Sequence, residues 1–512
     1  MEINRKKNAL LGTFWGFVQK LIGIIFPFVV RTVFIKTLGA NYLGLNGLFT
    51  SLLSVLNLAE LGVSSALVFS MYRPIAEDDE VKICALMHLY KVCYRVIGLS
   101  ILVVGVFLTP FIPRLIHSDL PDDINIYILY FMNLGATVLS YWLFAYRNSL
   151  FNAHQRVDII SIISSLVSVV TYIIQLCCLI AFKNYYLYLS INIISQVCLN
   201  ISIAIASKKK YPRYRPKGVV SREERIQIFK KVGDLFTAKV GGVINHSADS
   251  LVISFFLGLS ILGVYQNYYF IVSTVMSFFF LFYNSCEAGI ANCLIVNNDA
   301  DNRALLYNIN YIVFFFLNFC SVSLLCLTQP FIRLWVGDDY ILSFETVILF
   351  VLYLYAEIAP RTLLVFKDAA GLWKEDKFRP LVVSVVNLVL NILSVRRFGL
   401  YGVILSTIIA MLVIGFPWLL YNTNKYLMNL DVKKYLFMVA SYTGVIVFDC
   451  ILTSFVCNMF SFNNLLLELL CKGLVCLLLP NLVFLLFFFK TKENKYLMSN
   501  IKKIKEKIKG GK

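Results

Sequence analysis

Residues 11–44 read LGTFWGFVQKLIGIIFPFVVRTVFIKTLGANYLG. The run from Leu11 to Ile35 is long enough to cross a bilayer, for which about 20 apolar residues suffice. It carries two cations, Lys20 and Arg31, and ends in Leu38-Gly39 and Leu43-Gly44. The same skeleton returns 219 residues later: Phe17, Lys20, Gly23, Leu38, Gly39, Leu43 and Gly44 are matched by Phe236, Lys239, Gly242, Leu257, Gly258, Leu262 and Gly263. Apolar matches are common by chance, but a lysine recurring in register inside a membrane segment is not, because each such charge is costly there. A second echo pairs Glu60-x-Gly62-Val63-x-x-x-Leu67 with Glu287-x-Gly289-Ile290-x-x-x-Leu294 at an offset of 227, so the second copy has gained eight residues. More weakly, Arg156 and Ser161 return as Arg379 and Ser384. The chain reads as two tandem copies of one membrane unit.

Composition agrees. Of 512 residues, 59% are hydrophobic and 15% charged, whereas soluble domains hold about 45–50% apolar and about 25% charged residues. A soluble enzyme is excluded. Apolar runs predict spans at about 9–35, 43–70, 84–112, 124–150, 158–182, 185–206, 232–256, 263–293, 305–330, 341–366, 380–395, 400–422, 435–456 and 464–489. Six spans, an even number, separate the copies, so both point the same way. The expected fold is all-α: a polytopic membrane protein of about 14 transmembrane helices, with two six-helix lobes related by a parallel pseudo-two-fold and two further C-terminal helices. The lobes are expected at 1–207 and 232–422, joined by a basic linker at 208–231 and followed by spans at 423–489 and a basic tail at 490–512.

Lys and Arg number 47 against 29 Asp and Glu, a net charge of +18. In a soluble protein this suggests nucleic acid; in a membrane protein it marks cytoplasmic loops. Ten of these cations lie in 207–231 and nine in 490–512, whereas the alternate loops hold Lys36, Arg114, Lys183, Arg333, Arg396 and Arg397. Both termini are therefore expected in the cytoplasm, with no nucleic-acid partner. The apolar stretch after Lys7 is far longer than a signal-peptide core, and no cleaved signal is expected. The linker Lys208-Lys209-Lys210-Tyr-Pro-Arg213-Tyr-Arg215-Pro-Lys217 suits anionic lipid headgroups. Leu497, Ile501, Ile504 and Ile508 have the spacing of a basic amphipathic helix on the inner surface, or belong to a solvated tail.

Nothing in the chain reads as catalytic. There is no GxxxxGK[ST] phosphate cradle, the four histidines are scattered, and nearly all of the 13 cysteines sit in apolar runs, without CxxC spacing. No cofactor, metal site or disulfide framework is expected. Glu77-Asp78-Asp79-Glu80 reads as solvated loop charge.

The informative charges lie inside the spans: Lys20, Arg31, Glu60, Lys239, His246, Asp249, Glu287, Glu357, Arg361, Asp449, Glu468 and Lys472. Lysines from the two repeats facing one another would hold a diphosphate, and the paired glutamates Glu60 and Glu287 would compete for them when the site is empty. Lys239, close to its helix start, can instead snorkel to the interface, and Lys20 with Glu60 can form a structural ion pair. Arg31 and Lys36 either steer substrate outward or anchor the helix end. Glu357 with Arg361, and Glu468 with Lys472, stand four apart and are expected to neutralise each other. Asp249 near His246 suits a proton or cation site, although His246 also fits as a polar packing residue. Asp449 has no partner in reach by sequence. Pro27 and Pro360 are candidate helix bends.

The chain resembles a Wzx-type polysaccharide flippase of the multidrug/oligosaccharidyl-lipid/polysaccharide exporter superfamily. The resemblance rests on Arg31 with Leu38-Gly39-Ala-Asn-Tyr-Leu43-Gly44, Leu58-Ala59-Glu60-Leu61-Gly62 and Tyr72-Arg73-Pro74 in the first half. In the second half it rests on Asp249 to Gly258 with Gly263-Val-Tyr265, Leu334-Trp335-Val336-Gly337 and Ala370-Gly371-Leu372-Trp373. It implies two six-helix lobes forming a V, and alternating access that moves an undecaprenyl-diphosphate-linked oligosaccharide to the outer leaflet of the bacterial cytoplasmic membrane. It also implies that basic residues in a central cavity bind the anionic carrier, in agreement with the separate reading of Lys20, Arg31 and Lys239, and that transport is coupled to an ion gradient or the membrane potential. Asp249 and Glu60 are the first candidates for coupling H+ or Na+, with Glu287 and His246 after them, and polysaccharide polymerase machinery is a candidate partner. A multidrug or cation antiporter of the same fold should favour acidic and aromatic cavity residues, and a peptidoglycan-precursor flippase shares the span count. A polymerase or ligase should carry a large outward loop, which the short loops here do not provide.

Overall fold

The computed structural model describes residues 5–60, 62–116, 120–121, 123–460, 462 and 464–499, and no strand occurs among them. The helices run α1 (Arg5–Leu38), α2 (Ala40–Leu56), α3 (Val63–Ala76), α4 (Glu80–Leu108), α5 (Ile126–Trp142), α6 (Asn148–Ala153), α7 (Val157–Phe182), α8 (Tyr185–Lys210) and α9 (Arg222–Leu257). They continue as α10 (Leu259–Val296), α11 (Asp299–Trp335), α12 (Phe344–Ile358), α13 (Arg361–Ala369), α14 (Trp373–Asp376), α15 (Arg379–Ile409), α16 (Phe416–Tyr426), α17 (Val432–Asn458) and α18 (Leu465–Phe488). Hydrocarbon offers no partner for the orphan N–H groups of a helix start, so the polar turns supply them. Asp79, Asn125, Asn184, Ser221, Asn298, Ser343, Asp431 and Asn464 each accept from a backbone N–H two or three residues on. Asp79 thus gives the acidic loop a capping role.

Among the described residues eleven helices are long and apolar enough to cross a membrane, or twelve where the bent pair Ile126–Trp142 with Ala145–Ala153 counts as one span. One of the eleven, Trp373–Tyr426, has 54 residues and at 1.5 Å per residue would extend about 80 Å, more than twice a hydrocarbon core. It turns at Gly399, whose φ of 55° and ψ of −133° lie outside the helix, where the sequence expects the junction of spans 11 and 12. The remaining span, expected as one helix over 43–70, is broken into α2 and α3 by a 3-10 turn at Asn57–Glu60 and by Gly62 at φ 89°. About fourteen crossings result, as expected.

The chain forms two compact units, Met1–Gly263 and Val264–Lys512. Their boundary falls inside α10, and α9 packs against α2 and α3 within the first unit. In the first unit α1 packs on α7 and α4 on α5, with Phe49, Tyr130, Phe151 and Tyr185 buried. In the second, α17 and α18 pack on α11 through Tyr311, Tyr442, Phe484 and Phe488, with Tyr442 and Phe488 centroids 4.9 Å apart. Leu478, Leu486 and Phe489 of the final span are about two-thirds exposed, a surface suited to lipid.

The repeat is visible in the backbone. Gly39 and Gly258, which correspond, both take a left-handed φ, 93° and 89°, between consecutive helices. Gly44 and Gly263 meet the other copy reciprocally: a Cβ on Gly44 would lie 2.1 Å from the Leu259 carbonyl oxygen, and one on Gly263 would lie 2.2 Å from that of Ala40.

The linker is docked on the first unit. The His88 ring contacts the Gly218 carbonyl at 2.8 Å, Lys82 pairs with Glu224 at 3.1 Å, and His154 stacks on Tyr211 at 4.3 Å. Burial pushes the His154 imidazole below its ordinary pKa, with Lys210 adding to the depression and the Leu150 carbonyl and Asp78 opposing it. A base depressed in the folded state stabilises docking above its unfolded pKa of about 6.5, and that contribution is lost as pH falls below it. Trypsin cleavage at Arg213 and Lys217, corrected for trypsin's own pH profile, should therefore accelerate from about pH 7.5 to about pH 5.5. His154→Phe should flatten the dependence, and a wild-type rate independent of pH would refute a part for His154 in docking the linker. The tail beyond residue 499, with Ile501, Ile504 and Ile508, lies outside the described residues.

Candidate functional site

The break in span 2 places Glu60 at the end of a 3-10 turn instead of mid-helix. Its half-buried carboxylate meets hydroxyls from two other helices. Tyr94 of α4 donates to Oε1 at 2.6 Å, and Tyr141 of α5 reaches Oε2 at 3.2 Å and Asn57 Oδ1 at 3.1 Å. Behind Tyr94 stands Tyr90, its hydroxyl 2.9 Å from that of Tyr94 and 2.8 Å from Ser64 Oγ. Tyr90 and Tyr94 stand four apart, on one face of α4. Each phenol has one proton and can also accept, so Ser64, Tyr90, Tyr94 and Glu60 form a continuous chain along which a proton can shift. Glu60 accepts phenolic hydrogen bonds, and the structure places no lysine against it among the described residues.

On α1, Lys20 is exposed and Arg31 half-buried. Arg31 lies within electrostatic reach of Tyr188 of α8. One turn on, Phe34 packs edge-on to Tyr188 and Tyr185, with centroids at 5.0 Å and 5.7 Å. Asn192 bonds Tyr188 and accepts from Gln175 of α7 at 2.7 Å. The result is a guanidinium set in an aromatic and amide-lined face, a chemistry suited to phosphate oxygens. Pro27 is accommodated within the continuous α1.

Asp249 is buried on α9 beside the buried Ser247 and Ser250, and Ser254, further along, donates to the Leu115 carbonyl at 3.0 Å. Lys239 and His246 are carried by the same helix, but their side chains lie outside the described residues.

In the second unit, Glu287 is exposed on an uninterrupted α10. The repeat-mates Glu60 and Glu287 thus sit in different local structures. Glu468 and Lys472 pair as expected. Glu357 and Arg361 do not: Glu357 is buried, while the Arg361 guanidinium lies over the Phe280 ring at 4.4 Å. The two residues stand on either side of the α12–α13 junction at Ala359-Pro360, and the guanidinium takes the aromatic face in place of the carboxylate. Asp449, unassigned by sequence, is fully buried and accepts from Asn318 Nδ2 of α11 at 2.8 Å.

Sequence reasoning missed the tyrosines around Glu60, although Tyr90 and Tyr94 carried a readable signal in their spacing. It also missed a buried ion cluster at the α14–α15 junction, where Arg379 forks onto Asp376 with two 2.8 Å contacts, Lys367 adds a third at 3.2 Å and Asn422 donates at 3.0 Å. Arg156, the repeat-mate of Arg379, forks onto Asp158 at the start of α7 in the same manner.

A family model described as "Polysaccharide biosynthesis protein" matches residues 9–286. No curated protein matches the chain in sequence. Among solved structures, the chain is similar to the lipid II flippase MurJ in an inward closed conformation, at 19% identity and a TM-score of 0.67, over 94% of this chain and 99% of that one. It is also similar to a multidrug resistance MATE family transporter of the MOP superfamily in an inward-facing conformation, at 12% identity and a TM-score of 0.63, over 79% and 93% of the respective chains. A MOP superfamily transporter from Pyrococcus furiosus, described as having a binding pocket of reverse polarity, matches at 11% identity and a TM-score of 0.54, over 81% and 95%. The fold is shared with these transporters, and the chain, matched over more than half its length, belongs to the polysaccharide biosynthesis protein family.

Proposed function

We propose that this protein is a flippase of the bacterial cytoplasmic membrane, with both termini in the cytoplasm, that moves undecaprenyl-diphosphate-linked oligosaccharide repeat units from the inner to the outer leaflet by alternating access. The family match over residues 9–286 carries the reading. The chemistry of the first unit supports it: the acid Glu60 is tied down by phenols, whereas α1 contributes an ammonium and a guanidinium of the kind that bind diphosphate oxygens. In this reading Lys20, Arg31 and Lys239 hold the diphosphate. Glu60, Glu287, Asp249 and His246 gate the transporter or couple it to H+ or Na+.

The test reconstitutes the protein in liposomes with fluorescent undecaprenyl-diphosphate oligosaccharide and follows transbilayer movement by quencher accessibility. A charge-assisted hydrogen bond contributes about 1.5–3 kcal/mol, so Lys20→Ala with Lys239→Ala should slow movement at least about tenfold. Likeness to a lipid II flippase sets a parallel arm with an undecaprenyl-diphosphate muropeptide. Faster movement of that lipid than of any oligosaccharide would move the substrate to the peptidoglycan precursor. Movement of neither by correctly folded protein, under an imposed proton or sodium gradient, would return the reading to a drug antiporter.

Glu60→Gln keeps the side-chain volume and one acceptor but removes the charge that the phenols serve. Transport should fall at least about tenfold, with monodispersity in detergent retained, and Tyr94→Phe should give a smaller loss. Wild-type rates in Glu60→Gln would remove Glu60 from the coupling path.

A further inference from the structure

Three cysteines that lie far apart in sequence meet in the second unit. Cys326 of α11, Cys457 of α17 and Cys476 of α18 hold their sulfurs within 4.8 Å of one another, and Cys457 Sγ to Cys476 Sγ is 4.0 Å. Cys457 and Cys476 are buried and Cys326 is half-buried. A disulfide needs about 2.05 Å, so none is formed between Cys457 and Cys476. Three thiolates around one ion at a metal–sulfur distance of about 2.3 Å stand about 3.8–4.0 Å apart, which is the Cys457–Cys476 separation. Next to the sulfurs lies a cavity of about 370 Å³ whose walls include Cys326, Cys457, Gln329, Arg333, Glu468 and Lys472. It gives an ion a polar route of entry and leaves room for water as a further ligand.

We infer that Cys326, Cys457 and Cys476 form a binding site for a soft d10 metal ion, of the class of Zn(II) or Cu(I). The donor set argues for this class, because three sulfurs with no carboxylate or imidazole among them disfavour hard cations such as Mg(II) and Ca(II). Binding is a displacement of protons: for Zn(II), three S–H bonds break, three Zn–S bonds form, and three protons leave through the cavity, giving a complex of net charge −1. Affinity should therefore rise with pH. The ion joins α17 and α18, the two helices beyond the repeats, to α11, so metal binding should stabilise the packing of these three helices.

The full chain, purified in detergent, reduced and metal-free, is titrated with Cd(II) while thiolate-to-metal charge-transfer absorption is recorded. Zn(II) and, separately, Cu(I) with a competing chelator are then used as displacing ions. One equivalent per chain is expected. Cys326→Ser, Cys457→Ser and Cys476→Ser should each weaken binding at least about 100-fold, and Cys198→Ser, at an exposed position on α8, should leave it unchanged. The displacement arms decide between the two ions. Because a serine variant can fail to pack, wild-type protein is also labelled with maleimide with and without metal. Protection of these three cysteines over the others supports the site. Absence of a charge-transfer band, binding that survives all three substitutions, or equal labelling with and without metal overturns it.

Discussion

Asp376→Ala should be among the most destabilising single substitutions in this chain. Asp376 is 3% exposed and accepts at once from Arg379, Lys367 and Asn422. Its removal leaves the 4%-exposed Lys367 with only Asp368, at 2.6 Å. The Arg379 fork loses both of its acceptors. Breaking one partner out of a buried ion cluster costs about 3–5 kcal/mol, because the stranded charge cannot rehydrate. Lys367 keeps a half-exposed carboxylate, so the lower end, about 3 kcal/mol, is expected, and Asp376→Asn should fall between wild type and alanine. Thermal loss of the monodisperse species in detergent measures it. Asp158→Ala in the first unit is the internal comparison. Its partner Arg156 keeps about a quarter of its side chain in contact with solvent, so the cost there should be smaller. Equal shifts for the two would mean that solvent access does not set the scale.

Gly44→Ala and Gly263→Ala should each reduce the yield of folded protein sharply. Overpacking usually costs about 1–3 kcal/mol when side chains can yield. Here the obstacle is a carbonyl oxygen held by its own helix, 2.1 Å or 2.2 Å from the new methyl carbon, so whole helices must separate and more than about 3 kcal/mol is expected. Both substitutions act on one contact, and the double variant should cost less than the sum of the two. At Gly16 and Gly23 of α1 a Cβ would have nothing within 4 Å, and alanine there should be neutral or gain up to about 1 kcal/mol from helix propensity. The measurement is melting temperature for the four single variants and the double. Comparable losses at Gly16 and Gly44 would refute the close approach.

The spans were legible because a bilayer demands long apolar runs, and the run lengths stand out against 15% charged residues. Their interruptions were less so. The break at Asn57–Glu60 and Gly62 sits in a stretch whose hydropathy is continuous, and no pattern of apolar residues distinguishes a broken helix from a straight one. The same break brings Glu60 to Tyr94 and Tyr141, contacts with sequence separations of 34 and 81 residues. The i,i+4 rule held for Glu468 and Lys472 within α18, and failed for Glu357 and Arg361, where the guanidinium lies over the Phe280 ring, a contact 81 residues away in sequence that spacing along one helix does not show. Cysteine spacing was silent about Cys326, Cys457 and Cys476, since their meeting depends on the packing of α11, α17 and α18.

The reciprocal approach of Gly44 to Leu259 and of Gly263 to Ala40 has the form of an isologous dimer contact. In a dimer of separate identical subunits, any substitution at such a contact acts twice. Joining the copies in one chain removes that doubling, and a residue in one half can change while its mate stays. Freedom of this kind is what lets one copy keep its glutamate in a broken helix while the other carries it on a straight one. It does not extend to Gly44 and Gly263, where each residue is confined by the backbone of the opposite copy. Divergence after a duplication should therefore be slowest at these two glycines.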